Sequence, residues 1–159
     1  MRTKRRNLEA YLIDHLTGSD AAFRIVTRLK DSDRSVAVKR LAAELCDEFA
    51  QERSVVEATV RALGQRPVSP KRAVGGAAGR VLEAIAGGDA GDLALFRTLE
   101  SLAIGVQGKR LLWRALGQLA LPSLPSSRCH ELEALAVDQW TRIEHMRLQL
   151  VKATFANMT

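Results

Sequence analysis

Several features that would assign this chain to a large protein class are scarce or missing. Aromatic residues make up only 4% of its 159 residues. No stretch approaches the roughly 18 consecutive apolar residues that a membrane-spanning helix needs, so we expect no such helix. Glu9 and Asp14 interrupt the first apolar stretch, which argues against a secretory signal. The two cysteines, Cys46 and Cys129, lack metal-binding spacing, and we expect reduced thiols in a cytoplasmic protein.

The composition and length of the chain are those of an ordinary folded domain. Apolar residues account for 47% and charged residues for 26% of the chain, which is typical of globular proteins and not of disordered ones. The length suits one domain with a core of its own.

The net charge of +6 is unevenly distributed. Bases without any acid occupy the first six residues and the stretch 61–80. Clustered cations release counterions from phosphates, so nucleic acid or another polyanion is one candidate partner. Aromatic residues are not interleaved with these bases, which favours a solvated tail and loop instead. The candidate contact residues are Arg2, Lys4, Arg5, Arg6, Lys71 and Arg72.

The spacing of apolar residues predicts four long helices, over about 7–30, 34–63, 89–119 and 127–155. A basic disordered arm, 1–6, precedes them. Short connections within the first and second pairs predict two antiparallel hairpins. The long connector 64–88 has room for a short extra helix and allows the chain to cross over between the hairpins. The sequence therefore predicts an all-α four-helix bundle with a crossover.

Several polar residues fall on or beside the apolar stripes of these helices. Carboxylates and imidazoles from facing helices form di-iron and di-manganese sites in bundles, which makes iron or manganese a candidate cofactor. Such sites use two Glu-x-x-His motifs, whereas Glu48 precedes Gln51 and Glu144 directly adjoins His145. The candidate metal ligands are His15, Glu48, Glu52, Glu100 and Glu144.

An internal layer of ion pairs explains the same residues without a metal. Arginine stays charged when it is buried and can neutralise carboxylates inside a bundle. In this interpretation His15 is a hydrogen-bonded core residue, and the acids at 48, 52 and 100 pair with arginines. The candidate partners are Arg53, Arg110, Arg114, Arg142 and Arg147.

Three segments carry a resemblance to a known family: the run YLIDHLTGS at 11–19, LAAEL at 41–45 followed by Glu52, and LESLAIGVQGKRLLWRA at 99–115. Together they resemble an uncharacterised bacterial family of ferritin-like four-helix-bundle proteins, over residues 8–155. The resemblance implies a ferritin-like bundle with a crossover, frequently a di-iron centre, and oxidation or storage chemistry. Glu48 and Glu100 match the glutamate positions expected of that superfamily.

Three hypotheses for the function follow. The chain is a non-catalytic or metal-site-degenerate interaction module, a homodimer through apolar helix faces that include Trp113 and the Leu111–Leu112 pair. Alternatively, it is an iron or manganese oxidoreductase with non-standard ligands. The third hypothesis is a polyanion-binding protein. In each of them Gly105 and Gly108 are expected to permit close helix packing.

Overall fold

The computed structural model describes residues 2–64 and 91–156, except for the side chain of Arg2. This part of the chain is all-helical and contains an isolated β-bridge between Leu121 and Leu124 but no strand. None of its helices is long and apolar enough to cross a membrane. The prediction of an all-α protein with four long helices is confirmed. The helices are α1 (Arg2–Lys30), α2 (Val36–Ala62), α3 (Asp92–Leu116), α4 (Ser126–Gln149) and α5 (Val151–Phe155).

Helix α1 begins before its expected start. It includes residues 2–6, which the sequence analysis assigned to a disordered arm. One turn into the helix, Arg5 Nε donates to Glu9 Oε1 over 3.1 Å, an i,i+4 pairing that supports helix formation. The expected crossover and its short extra helix fall largely on residues 65–90, outside the described part.

The ends of α2 follow capping chemistry. The Ser35 side chain accepts a hydrogen bond from the backbone N–H of Val38 over 3.3 Å, which satisfies one free donor of the first turn. After the helix ends, Gly64 adopts a φ of +82°, a left-handed conformation that glycine enters without steric cost. The prediction that Gly64 ends the second helix is confirmed.

The connection between α3 and α4 is a compact turn. Ser126 Oγ donates to the carbonyl of Gly117 over 2.7 Å, and this bond joins the end of α3 to the start of α4. Leu124, inside the connection, is buried in the core. After α4, Phe155 of α5 packs edge-on against Phe96 of α3, with ring centroids 5.2 Å apart. The carboxyl-terminal turn is thereby attached to the second hairpin.

The relative directions of α1, α2 and α3 follow from contacts that side chains make across the bundle. Asp20 pairs with Arg53 and Thr27 approaches Cys46, so α1 and α2 are antiparallel. Two contacts join residues that are 57 positions apart, one from Arg34 to Gly91 and one from Lys109 to Glu52. This constant offset means that α2 and α3 run parallel. The end of α2 and the start of α3 therefore lie at opposite ends of the bundle.

Four long helices enclose one leucine-rich core. Helix α1 packs on α2 and α3 on α4, while the hairpins meet through α1 against α3 and through α2 against α4. Fully burying a leucine or valine side chain stabilises the folded state by about 1.5–3 kcal/mol before the loss of chain entropy is counted. The largest fully buried side chains include Trp113, Leu12, Leu45, Leu99, Leu102 and Leu112.

Candidate functional site

A groove of about 490 Å³ lies between α1 and α3, with α2 as its floor. Its volume falls within the range of about 300–1,000 Å³ that is typical of small-molecule sites. Most of its wall is apolar. The aliphatic side chains that line it include Leu16, Ile25, Val56, Leu102, Val106 and Leu112.

Small residues keep this groove open. Gly18 on α1 and Gly105 on α3 both line it, and a Cβ added at either position would meet no heavy atom within 4 Å. A Cβ at Gly108 would also point into open space. Our expectation that Gly105 and Gly108 permit close helix packing is therefore wrong, because no neighbouring helix occupies the space that a Cβ would take at either position. Gly105 instead leaves room in the groove.

A buried carboxylate forms part of the groove wall. Glu52 of α2 is 2% exposed and still has two donors on one oxygen. Lys109 Nζ of α3 makes a salt bridge to Glu52 Oε2, and Gln139 Nε2 of α4 donates to the same atom over 3.2 Å. Three helices thus meet at one carboxylate. The ammonium and amide groups offset the cost of burying its charge.

Lys109 is held on two sides. Besides the pairing with Glu52, its Nζ lies 3.9 Å from the ring centroid of Phe49, one turn before Glu52 on α2. Burial lowers the pKa of Lys109 below its ordinary value, and the nearby Glu52 carboxylate opposes this shift. The cation–π contact and the carboxylate both favour the ammonium form in this low-dielectric position.

Two polar atoms of the groove wall have no hydrogen-bond partner. They are Glu52 Oε1, the oxygen that does not pair with Lys109, and Trp113 Nε1. Trp113 is fully buried and lines the same groove as Glu52. Leaving a buried donor or acceptor unpaired costs about 1–3 kcal/mol. Both atoms have almost no accessible surface, so they are unpaired polar groups of the core and are not reached from the groove.

The rim of the groove carries aromatic and charged side chains of α1. His15 is half-buried and contacts Tyr11 edge-on, with ring centroids 4.7 Å apart. Burial lowers the pKa of His15, and Asp14 opposes that shift. Arg53 of the floor is already engaged, since it pairs with Asp20 and with Glu57. The rim is thus polar at its edge, while the interior of the groove is apolar.

Glu48 belongs to a second polar cluster, between α2 and α4. Arg142 Nη2 donates to both Glu48 oxygens, over 2.8 and 2.7 Å, and the same guanidinium reaches Glu44 and Asp138. Burial opposes the charge of Arg142, but the hydrogen bond and charge of Glu48, with Asp138, outweigh it and raise the pKa of Arg142. One arginine therefore holds three carboxylates.

Glu144 and Glu100 share a third cluster, between α3 and α4. Arg147 makes two hydrogen bonds to Glu144, over 2.7 and 2.6 Å, and its Nη1 lies 3.6 Å from Glu100 Oε1. The hydrogen bond from Arg147 lowers the pKa of Glu144. The guanidinium also stacks over Phe96, 4.7 Å from the ring centroid. Glu100 itself is exposed to solvent.

The structure divides the five predicted metal ligands instead of gathering them. Glu52 lies in the groove wall and His15 at its rim, Glu48 pairs with Arg142, and Glu100 and Glu144 pair with Arg147. Within residues 2–64 and 91–156, no three His, Cys, Asp or Glu side chains are placed to hold a metal ion together. The donor set described here does not fit a di-iron or di-manganese centre.

Two of the expected arginine pairings are present, Glu48 with Arg142 and Glu100 with Arg147. The partner of Glu52 is different, since it is Lys109 and no arginine. Lys109 was not among the residues predicted to pair with Glu52. The sequence does indicate this role. Residues 102, 106, 109 and 113 follow helical spacing, which places Lys109 on the buried stripe of α3.

The predicted polyanion-contact residues are exposed on α1 or lie outside the described part of the chain. Lys4, Arg5 and Arg6 are exposed on the first turns of α1, where Arg5 pairs with Glu9. Lys71 and Arg72, and the side chain of Arg2, are outside the described part. Polyanion binding therefore stays a prediction.

The apolar face expected to form a dimer has a different composition. Trp113 is 0% and Leu112 is 1% exposed, so both belong to the core and cannot form an intermolecular surface. Leu111 is 62% exposed and Ile104, two turns earlier, is 69% exposed. Only the Leu111 part of the expected surface is available.

A comparison of the chain with protein-family models, with curated proteins and with solved structures gives no match.

Proposed function

We propose that this chain is a non-catalytic helical-bundle module, ferritin-like in its connections, whose core carboxylates are neutralised by its own cations. The observation that carries this proposal is the Lys109–Glu52–Gln139 contact in the middle of the bundle. A lysine ammonium already neutralises the Glu52 carboxylate, which removes the negative charge that would attract a metal cation. The parallel directions of α2 and α3, the second and third long helices of the chain, support the ferritin-like part of the proposal.

The second polar cluster supports the same conclusion. Glu48, which the family resemblance matches to a metal ligand, has both oxygens bound by Arg142. Bringing Glu48 to a metal would break these charge-assisted hydrogen bonds, which are worth roughly 1.5–3 kcal/mol each. The competing proposal, a metal-dependent oxidoreductase, would have to replace Arg142 and Lys109 at both carboxylates.

Elemental analysis tests this proposal. The purified chain is analysed as isolated and after anaerobic loading with Fe(II) or Mn(II) followed by desalting. We expect no stoichiometric metal under either condition. One or two metals per chain, lost in Glu48→Ala and Glu100→Ala variants that still fold, would overturn the proposal and favour the oxidoreductase.

We also propose that the module forms a homodimer through the exposed apolar face of α3. Ile104 and Leu111 are seven residues apart and lie on one side of that helix. Sedimentation velocity at tens of micromolar should give the mass of two chains, and Leu111→Glu should give the mass of one. A single-chain mass for the unmodified protein would contradict the dimer.

A further inference from the structure

We propose that one end of the helical bundle binds the phosphate backbone of duplex DNA without reading its sequence. This end is formed by the start of α1, the end of α2, the end of α3 and the start of α4. The proposal goes beyond the function proposed above, which concerns the core carboxylates and the apolar face of α3. The surface, called the basic end below, consists of the exposed side chains of Lys4, Arg5, Arg6, Arg61, Arg114 and Arg128.

The directions of the helices bring these six cations to the same end. Helix α1 is antiparallel to α2, and α2 is parallel to α3, so α1 begins where the other two end. The Arg5 guanidinium lies against Gly64, since a Cβ added to that glycine would be 2.6 Å from Arg5 Nη2. The bond from Ser126 Oγ to the Gly117 carbonyl places the start of α4 beside the end of α3. Cations from distant parts of the sequence therefore share one surface.

The basic end carries charge of one sign. Its six cations belong to three stretches of the sequence that contain no aspartate or glutamate, 1–8, 58–64 and 101–130. The acids that directly adjoin these stretches are each paired with an arginine, and they are Glu9, Glu57, Glu100 and Glu131. No unpaired carboxylate next to these stretches is therefore left to neutralise the surface.

Four of the six cations have no acidic partner within residues 2–64 and 91–156. Arg5 pairs with Glu9 and Arg128 pairs with Glu131, and the uncommitted cations are Lys4, Arg6, Arg61 and Arg114. By contrast, the arginines deeper in the bundle, at 53, 142 and 147, each hold carboxylates. Uncommitted cations on a surface of one sign repel each other, and an anionic partner relieves that repulsion.

The chemistry and size of the basic end match the phosphates of a duplex. Five of its six cations are arginines, whose guanidinium groups bind phosphate oxygens in pairs. Neighbouring helices pack about 8–10 Å apart, so the end of four helices extends over roughly 20 Å. A DNA duplex of that length carries about 12 phosphate charges, at one charge per 1.7 Å of its axis. The surface is therefore large enough for all four uncommitted cations to contact phosphates at once.

Other polyanions need groups that the basic end lacks. Single strands are bound by exposed aromatic side chains, whereas Trp113, the one aromatic residue in the three acid-free stretches, is fully buried. Duplex RNA is recognised largely through its 2′-hydroxyls, while cations alone suffice for DNA phosphates. Stable attachment to an anionic membrane takes a second signal besides charge, and the connection 117–125 exposes a single large apolar side chain, Leu119. Duplex DNA is the partner that charge alone can hold.

Salt-dependent binding tests the proposal. The full chain is titrated into a fluorescently labelled DNA duplex of about 20 base pairs, and anisotropy gives the affinity at salt concentrations from about 50 to 200 mM. We expect saturable binding whose logarithm falls with the logarithm of salt at a slope of about −3.6, which is 0.9 for each uncommitted cation. This slope corresponds to a roughly 150-fold loss of affinity over that range of salt.

Two triple variants of equal net charge locate the surface. The test variant neutralises three cations of the basic end, Arg6→Gln, Arg61→Gln and Arg114→Gln. The control neutralises three exposed cations at the opposite end, Arg28→Gln, Lys39→Gln and Arg40→Gln. The test variant should bind at least about 30-fold more weakly at about 100 mM salt, with a slope near −0.9, and the control should stay within about threefold of the unmodified chain. Circular dichroism confirms that both variants fold.

Four outcomes would overturn the proposal. The first is absence of saturable DNA binding at the lowest salt, and the second is an affinity that does not change with salt. The third is equal weakening by the two triple variants, which would show that net charge and not the basic end is responsible. The fourth is tighter binding of a single strand, of an RNA duplex of the same sequence or of vesicles that contain phosphatidylserine. None of these results affects the elemental analysis or the sedimentation experiment, so the proposals fail independently.

Discussion

At the scale of single residues, the molecule is organised by how each buried charge finds a partner. Glu52 uses a lysine and an amide from two other helices, and Glu48 uses one arginine. The two carboxylates differ in burial. Glu52 is 2% exposed, whereas the side chain of Glu48 is 25% exposed. The deeper pair should therefore be the more sensitive to loss of one partner.

Removing the charge of Lys109 tests this sensitivity. Lys109→Met leaves a buried carboxylate without its cation, and we expect a loss of about 3–5 kcal/mol in the free energy of unfolding. Glu52→Leu should cost less, since the lysine can extend its ammonium toward solvent. In the double variant most of the loss should be recovered, and urea denaturation of all four proteins measures the coupling. Additive effects of the two substitutions would contradict the pairing.

His15 makes the stability depend on pH. Burial lowers its pKa from the ordinary value of 6.5. As the pH falls through 6.5, the unfolded chain takes up a proton before the folded chain does, so the free energy of unfolding decreases. The decrease stops once the pH is below the folded pKa. Between pH 7.5 and 5.5 the native protein should lose more stability than His15→Gln in urea denaturation. Parallel pH profiles of the two proteins would contradict this prediction.

At the scale of the helices, glycines have opposite consequences at different positions. Gly64 ends α2 with a φ of +82°, where a Cβ would also lie 2.6 Å from the Arg5 guanidinium. Gly108 lies within α3, and an added Cβ there would meet nothing within 4 Å. The first glycine is required by backbone conformation, and the second only lowers helix propensity.

A pair of alanine substitutions separates these two roles. Gly64→Ala should decrease the free energy of unfolding by about 1–2 kcal/mol, because alanine is strained in the left-handed conformation. Gly108→Ala should increase it by roughly 0.8–1.0 kcal/mol, because alanine is the better helix former. Urea denaturation measures both. Changes of the same sign would contradict the assignment of Gly64 as the helix-ending residue.

At the scale of the whole molecule, two antiparallel hairpins are joined by polar contacts that involve α2 and the loop before it. Arg34 reaches the start of α3, Glu52 meets Lys109 and Gln139, and Glu48 meets Arg142. These contacts connect segments that are 57 or more positions apart in the chain. These polar contacts specify how the two hairpins are positioned against each other, which apolar packing alone would specify less well.

Replacing Arg142 tests the link between the hairpins. Arg142→Met removes both hydrogen bonds to Glu48 and should cost about 2 kcal/mol of unfolding free energy. Arg142→Lys should restore little, because an ammonium cannot reproduce the fork of a guanidinium.

The control for this test is Arg128→Met. It breaks an exposed pair with Glu131 within one helix and should change the unfolding free energy by less than about 1 kcal/mol. Urea denaturation gives both values. Equal losses for Arg142→Met and Arg128→Met would show that Arg142 does not hold the hairpins together.

Much of the fold was predictable from local patterns. The periodicity of apolar residues placed four helices, and Gly64 marked the end of α2. These features depend on interactions between residues a few positions apart. The extension of α1 to Arg2 was missed, since the first six residues carry no apolar stripe while an Arg5–Glu9 pair supports the helix.

The candidate site was predictable only in part. Glu52 and His15 were selected as polar residues on apolar stripes, and both line the groove. Lys109 and Trp113, which complete the site, were missed or given another role. Helical spacing shows which residues share a face, but it does not show which faces of two distant helices oppose each other.

The sequence by itself determined that residues 2–64 and 91–156 are helical, where the four long helices lie and which polar residues fall among apolar ones. These properties follow from the 3.6-residue period and from turn chemistry, which act along the chain. Only the tertiary structure decided that Glu52 meets Lys109, that Trp113 is buried, and that a groove opens beside them. Those facts depend on the axial position and rotation of each helix against its neighbours, and packing of the whole core sets both.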